Sequence, residues 1–311
     1  MPRLYVLFDT NLYRTLSNEA FESIIRLERN ASIVGYASYW AGLELLSHLA
    51  SPTDPAFASS WSALRRLERH CTQFDGQRSL IRWIADHEDQ ACRALFGHGL
   101  PHHARKAEVY GRLVGEIAQL RTVDELSDYR KELQRVAEYV KEAEWGFANE
   151  IWENVVLRFA PGASSWQALH KDPVLRRRAI DTLERPEALR LAAGMVVDLS
   201  AALLQIAITE AQRKEGIDRA LELFGTPLRF WISIVRRVIV DGYDLSKAGN
   251  ANSLWDYHLL FSTSPLARLE GMPFWLITSD KAMLAAANAA GAERVIMSLD
   301  NYRVALESDD W

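Results

Sequence analysis

Tyr5-Val6-Leu7-Phe8-Asp9-Thr10-Asn11 decides the reading of this chain. A short apolar run with β-branched and aromatic members has the signature of a buried strand, and it ends abruptly on an acid followed by two hydrogen-bonding side chains. A strand of this kind delivers a carboxylate to the rim of a site. A second junction of the same type lies near the other end, where Phe274-Trp275-Leu276-Ile277 runs into Thr278-Ser279-Asp280-Lys281 and then into an alanine-rich stretch from Ala282 to Ala290. The two junctions read as halves of one site.

Working outward from the first junction, the pattern from Arg3 to Ser51 is strand, helix, strand, helix: Leu4 to Phe8, Leu12 to Arg29, Ser32 to Ala37 and Trp40 to Ala50. The last segment repeats it, with a helix over Ser253 to Ser262, a strand at Phe274 to Ile277, a helix at Lys281 to Ala290 and a strand at Arg294 to Met297. Such alternation predicts a parallel sheet covered by helices. Between the ends, from Ala58 to Val240, strand signal is almost absent and helical rows dominate. Trp61, Leu64 and Leu67 form one row, Leu126, Tyr129, Leu133, Val136, Tyr139 and Val140 a second, and Leu199, Leu203, Ile206 and Ile208 a third. Breaks fall at Gly97-His98-Gly99-Leu100-Pro101, Ala160-Pro161-Gly162 and Gly225-Thr226-Pro227. The expectation is an α/β domain split by a large all-α insertion, with residues 1–57 and 241–311 forming the α/β part and 58–240 the insertion. Without the insertion about 130 residues remain, an ordinary domain size.

Composition narrows the function classes. Of 311 residues, 49% are hydrophobic and 25% charged, as expected of a folded chain with a substantial core. A net charge of -5 gives no global attraction to nucleic acid, so any such binding needs a local basic surface or bridging cations. Two cysteines, Cys71 and Cys92, exclude a disulfide framework and an all-cysteine zinc site. A reducing cytoplasm fits best. No signal-peptide pattern opens the sequence and no apolar stretch is long enough to span a bilayer, so neither secretion nor membrane insertion is expected.

Ligands of parallel α/β folds bind beyond the carboxyl ends of the strands, where Asp9 and Asp280 are expected. Two further acids lie on flanking helices, Glu44 in Ala41-Gly42-Leu43-Glu44-Leu45-Leu46 and Asp256 in Asn252-Ser253-Leu254-Trp255-Asp256. Asn252 and Asp256, spaced i, i+4, share a helix face. Clustered carboxylates repel unless a divalent cation neutralises them, and hard oxygen ligands suit Mg²⁺ or Mn²⁺. In this order the motifs resemble those of PIN-domain ribonucleases: Asp9-Thr10-Asn11 after a first strand, a lone Glu on the second helix, an Asp on a late helix, and Thr278-Ser279-Asp280 after a strand. The resemblance covers the two terminal segments only. It implies a three-layer α/β/α fold and cation-dependent hydrolysis of RNA, with Asp9, Glu44, Asp256 and Asp280 as catalytic and metal-holding acids. Thr10 or Asn11 matches the polar position beside the first acid. Asn252 and Ser279 would support the site and Lys281 would contact a phosphate. The implied partners are single-stranded RNA and a protein inhibitor or second copy, with no membrane, and many such nucleases are toxins or defence effectors. The long helical segment departs from compact members of the family.

Each feature also has a plainer reading. Asp9-Thr10-Asn11 and Ser279-Asp280 are good helix N-caps, and Glu44 and Asp256 could occupy solvated faces. His98, His102 and His103 read better as a polar loop than as a metal site, His48 as a structural hydrogen-bonding residue, and Cys71 and Cys92 as small core residues. Arg65 to His70 and Arg93 to His98 share a loose spacing that resembles the motif of helical HEPN ribonucleases, which would act without metal. Arg176-Arg177-Arg178 and Arg236-Arg237 read as solvated helix faces, and Trp166 and Trp231 as core. The rival to a nuclease is an inactive interaction module working through its helices.

Overall fold

The computed structural model describes residues 4–74, 79–150, 162–164, 166–243, 245, 252–264 and 274–308. Strand β1 (Leu4–Phe8) leads through α1 (Thr10–Thr15) and α2 (Asn18–Asn30) to β2 (Ile33–Ser38). Helices α3 (Tyr39–Ser47) and α4 (Phe57–Cys71) follow, then the short strands β3 (Thr72–Phe74), β4 (Ser79–Ile81) and β5 (Trp83–Ile84). Next come α5 (His87–Phe96), α6 (Pro101–Gln119), a 3₁₀ turn (Asp124–Tyr129), α7 (Arg130–Glu150), α8 (Trp166–Lys171), α9 (Pro173–Leu183), α10 (Pro186–Leu203), α11 (Glu210–Leu223), α12 (Gly225–Asp241) and α13 (Asn252–Phe261). The chain returns to the sheet with β6 (Phe274–Ile277), α14 (Lys281–Ala289), β7 (Ile296–Met297) and α15 (Leu299–Ser308).

The fold is α/β. Five parallel strands stand in the order β5-β2-β1-β6-β7, with β1 in the middle, so the chain builds outward first on one side and later on the other. Register runs from Leu4↔Ile33 to Leu7↔Tyr36 on one edge of β1 and from Tyr5↔Phe274 to Phe8↔Ile277 on the other. All five residues of β1 are buried, so both of its faces are covered, as parallel strands require. The direction of winding reverses at β1 and β6, and Asp9 and Asp280 leave the sheet at the carboxyl ends of these two strands.

Local signals set the helix ends. The single helix expected from Leu12 to Arg29 is two, because Leu16 is extended and the Ser17 hydroxyl caps α2 by accepting from Ala20 N at 3.1 Å. Gly97 closes α5 in the left-handed region at φ 74° and Pro101 opens α6, as the Gly-Pro break suggested. Gly225 opens α12 rather than forming a loop, and the turn falls at Phe224. Pro161 lies outside the described residues.

The expectation of a purely helical stretch from 58 to 240 needs correction. β3 and β4 form an antiparallel pair, and β5 extends the parallel sheet through Ala37↔Trp83 and Ser38↔Ile84. Helix α4 is thus part of the crossover from β2 to β5. The third apolar row is also not a core row: Leu199 is 45% exposed and Ile206 40%, while α10 buries Ala188, Ala192, Ala193, Val197 and Ala201 instead.

Behind β1 a chain of buried polar groups ties the two termini together. Tyr302 donates to Glu28 Oε1 at 2.7 Å, Glu28 Oε2 meets His70 Nε2 at 2.9 Å, and His70 Nδ1 meets the Tyr13 hydroxyl at 2.8 Å. The Phe8 ring lies 4.5 Å from the His70 ring. Burial pulls the His70 pKa down, but the Glu28 carboxylate and Cys71 outweigh it and raise it to about 10. Gly35 of β2 is required beside this ring, since a Cβ there would come within 2.7 Å of His70 side-chain and backbone atoms. Among the described residues no helix is long and apolar enough to cross a membrane.

Candidate active site

Asp9, the residue after β1, is 2% exposed, and its backbone N–H continues the sheet pairing by donating to Ile277 O of β6 at 3.0 Å. Its carboxylate serves two elements. Oδ1 accepts from Asn11 N at 3.1 Å, capping α1, and Oδ2 accepts from the Thr278 hydroxyl at 2.9 Å. The Thr278 oxygen in turn accepts Asp280 N at 2.9 Å, and Asp280 Oδ1 caps α14 by accepting Met283 N at 2.8 Å. One buried threonine therefore locks the two strand-end acids to each other. The N-cap reading of these acids holds, since each carboxylate caps a helix with one oxygen, and capping does not exclude a site role.

Glu44 lies on α3, of which Tyr39 to Leu46 are buried, and is itself 7% exposed. Its Oε1 pairs with Arg14 Nη1 of α1 at 3.0 Å, so it does not occupy a solvated face. Arg14 keeps Nε and Nη2 buried with no partner among the described residues. Asp256 is half-buried on α13. Its pKa stands well above the carboxylate range, first through burial and then through Asp9, Asp280 and Glu44. Burial likewise raises Asp9, with Glu44 and Asp280 adding to it against the two hydrogen bonds. The four acids therefore share one electrostatic neighbourhood, although they come from four separated parts of the chain.

The spacing within that neighbourhood is open. Among the described residues, the one His/Cys/Asp/Glu group offering three ligand atoms within 4.8 Å of one another is Asp86, Glu88 and His103, not this set. All-oxygen donors in one neighbourhood, with Asp9 and Asp256 raised, fit a hard divalent ion that retains several of its waters, which such spacing leaves room for. The residues fit Mg²⁺ or Mn²⁺ in that sense, with Asp256, Asp280 and Glu44 having oxygens not engaged in the caps and ion pair above.

Among the supporting residues, Thr10 is buried in the first turn of α1, Asn11, Asn252, Ser279 and Lys281 are exposed, and Thr278 is the side chain that joins the two strand-end acids. Asn11 contributes through its backbone. Two groups escaped the sequence reading, Arg14 and Glu144 of α7, and Thr278 was read only as part of its motif. Burial raises the Glu144 carboxyl, Trp255 Nε1 donates to it at 3.2 Å, and Glu44 lies near enough to raise it further. Its only sequence signal was a place on an amphipathic helix.

The plainer expectations fare variously. His48 pairs with Asp54 at 3.0 Å, and Cys71, Cys92 and Trp231 are buried, whereas the Trp166 side chain is outside the described residues. Arg237 lies over the Tyr243 ring, and Arg236 reaches Glu184 at 4.0 Å on an exposed face. The HEPN-like pairs do not assemble: His70 is sequestered behind β1, Arg65 donates to Leu120 O, Arg93 pairs with Asp89 at 2.7 Å, and His98 is exposed. The three-histidine loop is overturned, since His102 and His103 open α6 and His103 is buried against Asp86. Comparison of the chain with protein-family models, with curated proteins and with solved structures found no match.

Proposed function

We propose that this protein is a divalent-cation-dependent nuclease of the PIN type that hydrolyses phosphodiester bonds in RNA. The observation that carries the reading is the Asp256 carboxyl, raised first by burial and then by three other acids that come from the end of β1, from α3 and from the end of β6, at the point where the sheet changes direction. Such a set is unfavourable alone and favourable around a cation. Asp9, Glu44, Asp256 and Asp280 would hold the ion.

A bound Mg²⁺ or Mn²⁺ would supply a water of lowered pKa and positive charge for the phosphate oxygens. The chain's own groups set the frame. Thr278 fixes the spacing of Asp9 and Asp280, and Arg14 restrains Glu44 while offsetting part of the negative charge. Lys281, exposed and next to Asp280, would meet a backbone phosphate. The preference for RNA rests on the family resemblance.

The test is cleavage of labelled single-stranded RNA and DNA by purified protein with Mn²⁺ and with EDTA, using Asp9→Ala and Asp280→Ala as variants. RNA cutting that stops in EDTA and falls roughly 100-fold or more in either folded variant is expected. Unchanged cutting by folded Asp9→Ala would overturn the assignment. The same substitution should relieve any toxicity on expression. A second reading, an inactive interaction module, is favoured by the Arg14–Glu44 pair and by the open spacing of the acids. Absence of Mn²⁺ binding by calorimetry would select it.

A further inference from the structure

We propose that His103 and Glu88 form a second, transition-metal site, with Asp86 as the carboxylate that orients the imidazole. The site stands at the polar end of an open cavity of about 470 Å³ between α3, α13 and helices of the intervening segment, and none of the four acids lines it. Apolar side chains such as Leu199, Leu228, Trp231 and Phe261 line much of that cavity.

The geometry of the polar end is specific. His103 Nδ1 lies 3.1 Å from Asp86 Oδ2, and the other ring nitrogen, Nε2, lies 3.5 Å from Glu88 Oε2. A carboxylate holding one ring nitrogen of histidine, with the other left to the ion, is the usual outer arrangement of zinc-bound imidazole. Two ligand atoms each about 2.1 Å from one ion at a tetrahedral angle stand about 3.4 Å apart, close to the observed separation. Asp86 is itself anchored on its other oxygen, Oδ1, by His87 Nδ1 at 2.6 Å and Trp40 Nε1 at 3.2 Å. This leaves it free to orient but poorly placed to move.

A second observation points the same way. His258 lines the same cavity, its ring stacks on His87 with centroids 3.5 Å apart, and its Nδ1 is buried with no partner among the described residues. Burial, then His87, holds His258 well below the usual imidazole pKa, so it is neutral, and its buried nitrogen is short of a partner. Water or a further ligand on the ion would provide one. A nitrogen donor in the set selects Zn²⁺ over the hard ions suited to the four acids.

Chelator-treated full-length protein is loaded with Zn²⁺, dialysed, and analysed for bound metal, with zinc-edge X-ray absorption to detect imidazole ligation. Retention of one zinc with an imidazole ligand is expected. Glu88→Gln and His103→Gln should each weaken retention by at least tenfold, while Asp280→Asn should keep both the zinc and its imidazole signature. Glu88 is partly exposed, so its variant reports even if the buried histidine variant fails to fold. Loss of all zinc on dialysis of the native protein, or zinc retained unchanged in Glu88→Gln, would overturn the proposal. Neither result touches the RNA assay.

Discussion

Asp9 caps a helix with one oxygen and binds Thr278 with the other, so its orientation is settled before any ligand arrives. Thr278→Val, nearly equal in shape, removes the hydroxyl that joins Asp9 to the backbone of Asp280. It should cost about 1–3 kcal/mol, because a buried carboxylate oxygen loses its donor. Thermal unfolding measures the cost, and RNA cleavage should fall with it. An unchanged melting temperature would show that Thr278 is not the link described. The acids themselves were legible in the sequence, since each follows an apolar strand or interrupts an apolar helix. Arg14 and Glu144 were not, because each matters only through a partner far away in sequence and nothing local distinguishes them from ordinary helix residues, while Thr278 showed in its motif but its bond to Asp9 did not. His103 was misread for the same reason: its partner Asp86 precedes a different helix.

At the scale of elements, the edge strand β5 shows how helices and sheet are fastened together. Trp83 of this strand lies against glycines on two helices: a Cβ on Gly42 of α3 would meet its ring at 2.9 Å, and one on Gly111 of α6 would meet Nε1 at 2.3 Å. Neither distance is sterically possible, so Gly111→Ala must displace Trp83 or α6. A loss of about 1–3 kcal/mol in denaturant unfolding is expected, with Ala at Gly115, where nothing stands within 4 Å, as the mild control. Equal stability of the two variants would count against this packing. The terminal strands and helices were readable because their apolar runs are long enough to show a period. β5 has two residues and the helices around it supply its cover, so periodicity could not reveal it.

Across the whole molecule, the Tyr302–Glu28–His70–Tyr13 chain joins the last helix to α2, α4 and α1. His70 has its folded pKa raised from 6.5 to about 10, so its contribution to stability is complete below pH 6.5 and lost as pH rises through about 10. Stability followed from pH 6.5 to 10 should decline, and His70→Gln should remove most of that slope. An identical slope in the variant would place the titration elsewhere. The parallel α/β class was legible from the two ends of the chain, but the packing of the helical segment around the site was not. That packing sets Glu144 beside Glu44 and Trp255, and it arises from contacts between helices that no local pattern encodes. The most direct test of the central claim is single-turnover cleavage of labelled single-stranded RNA by native protein and Asp256→Asn at equal Mn²⁺. Cleavage by the native protein, absent in EDTA and reduced roughly 100-fold or more in the folded variant, is the predicted result. Cleavage that survives EDTA, or that is equal in Asp256→Asn, would contradict a cation-dependent centre built from these four acids.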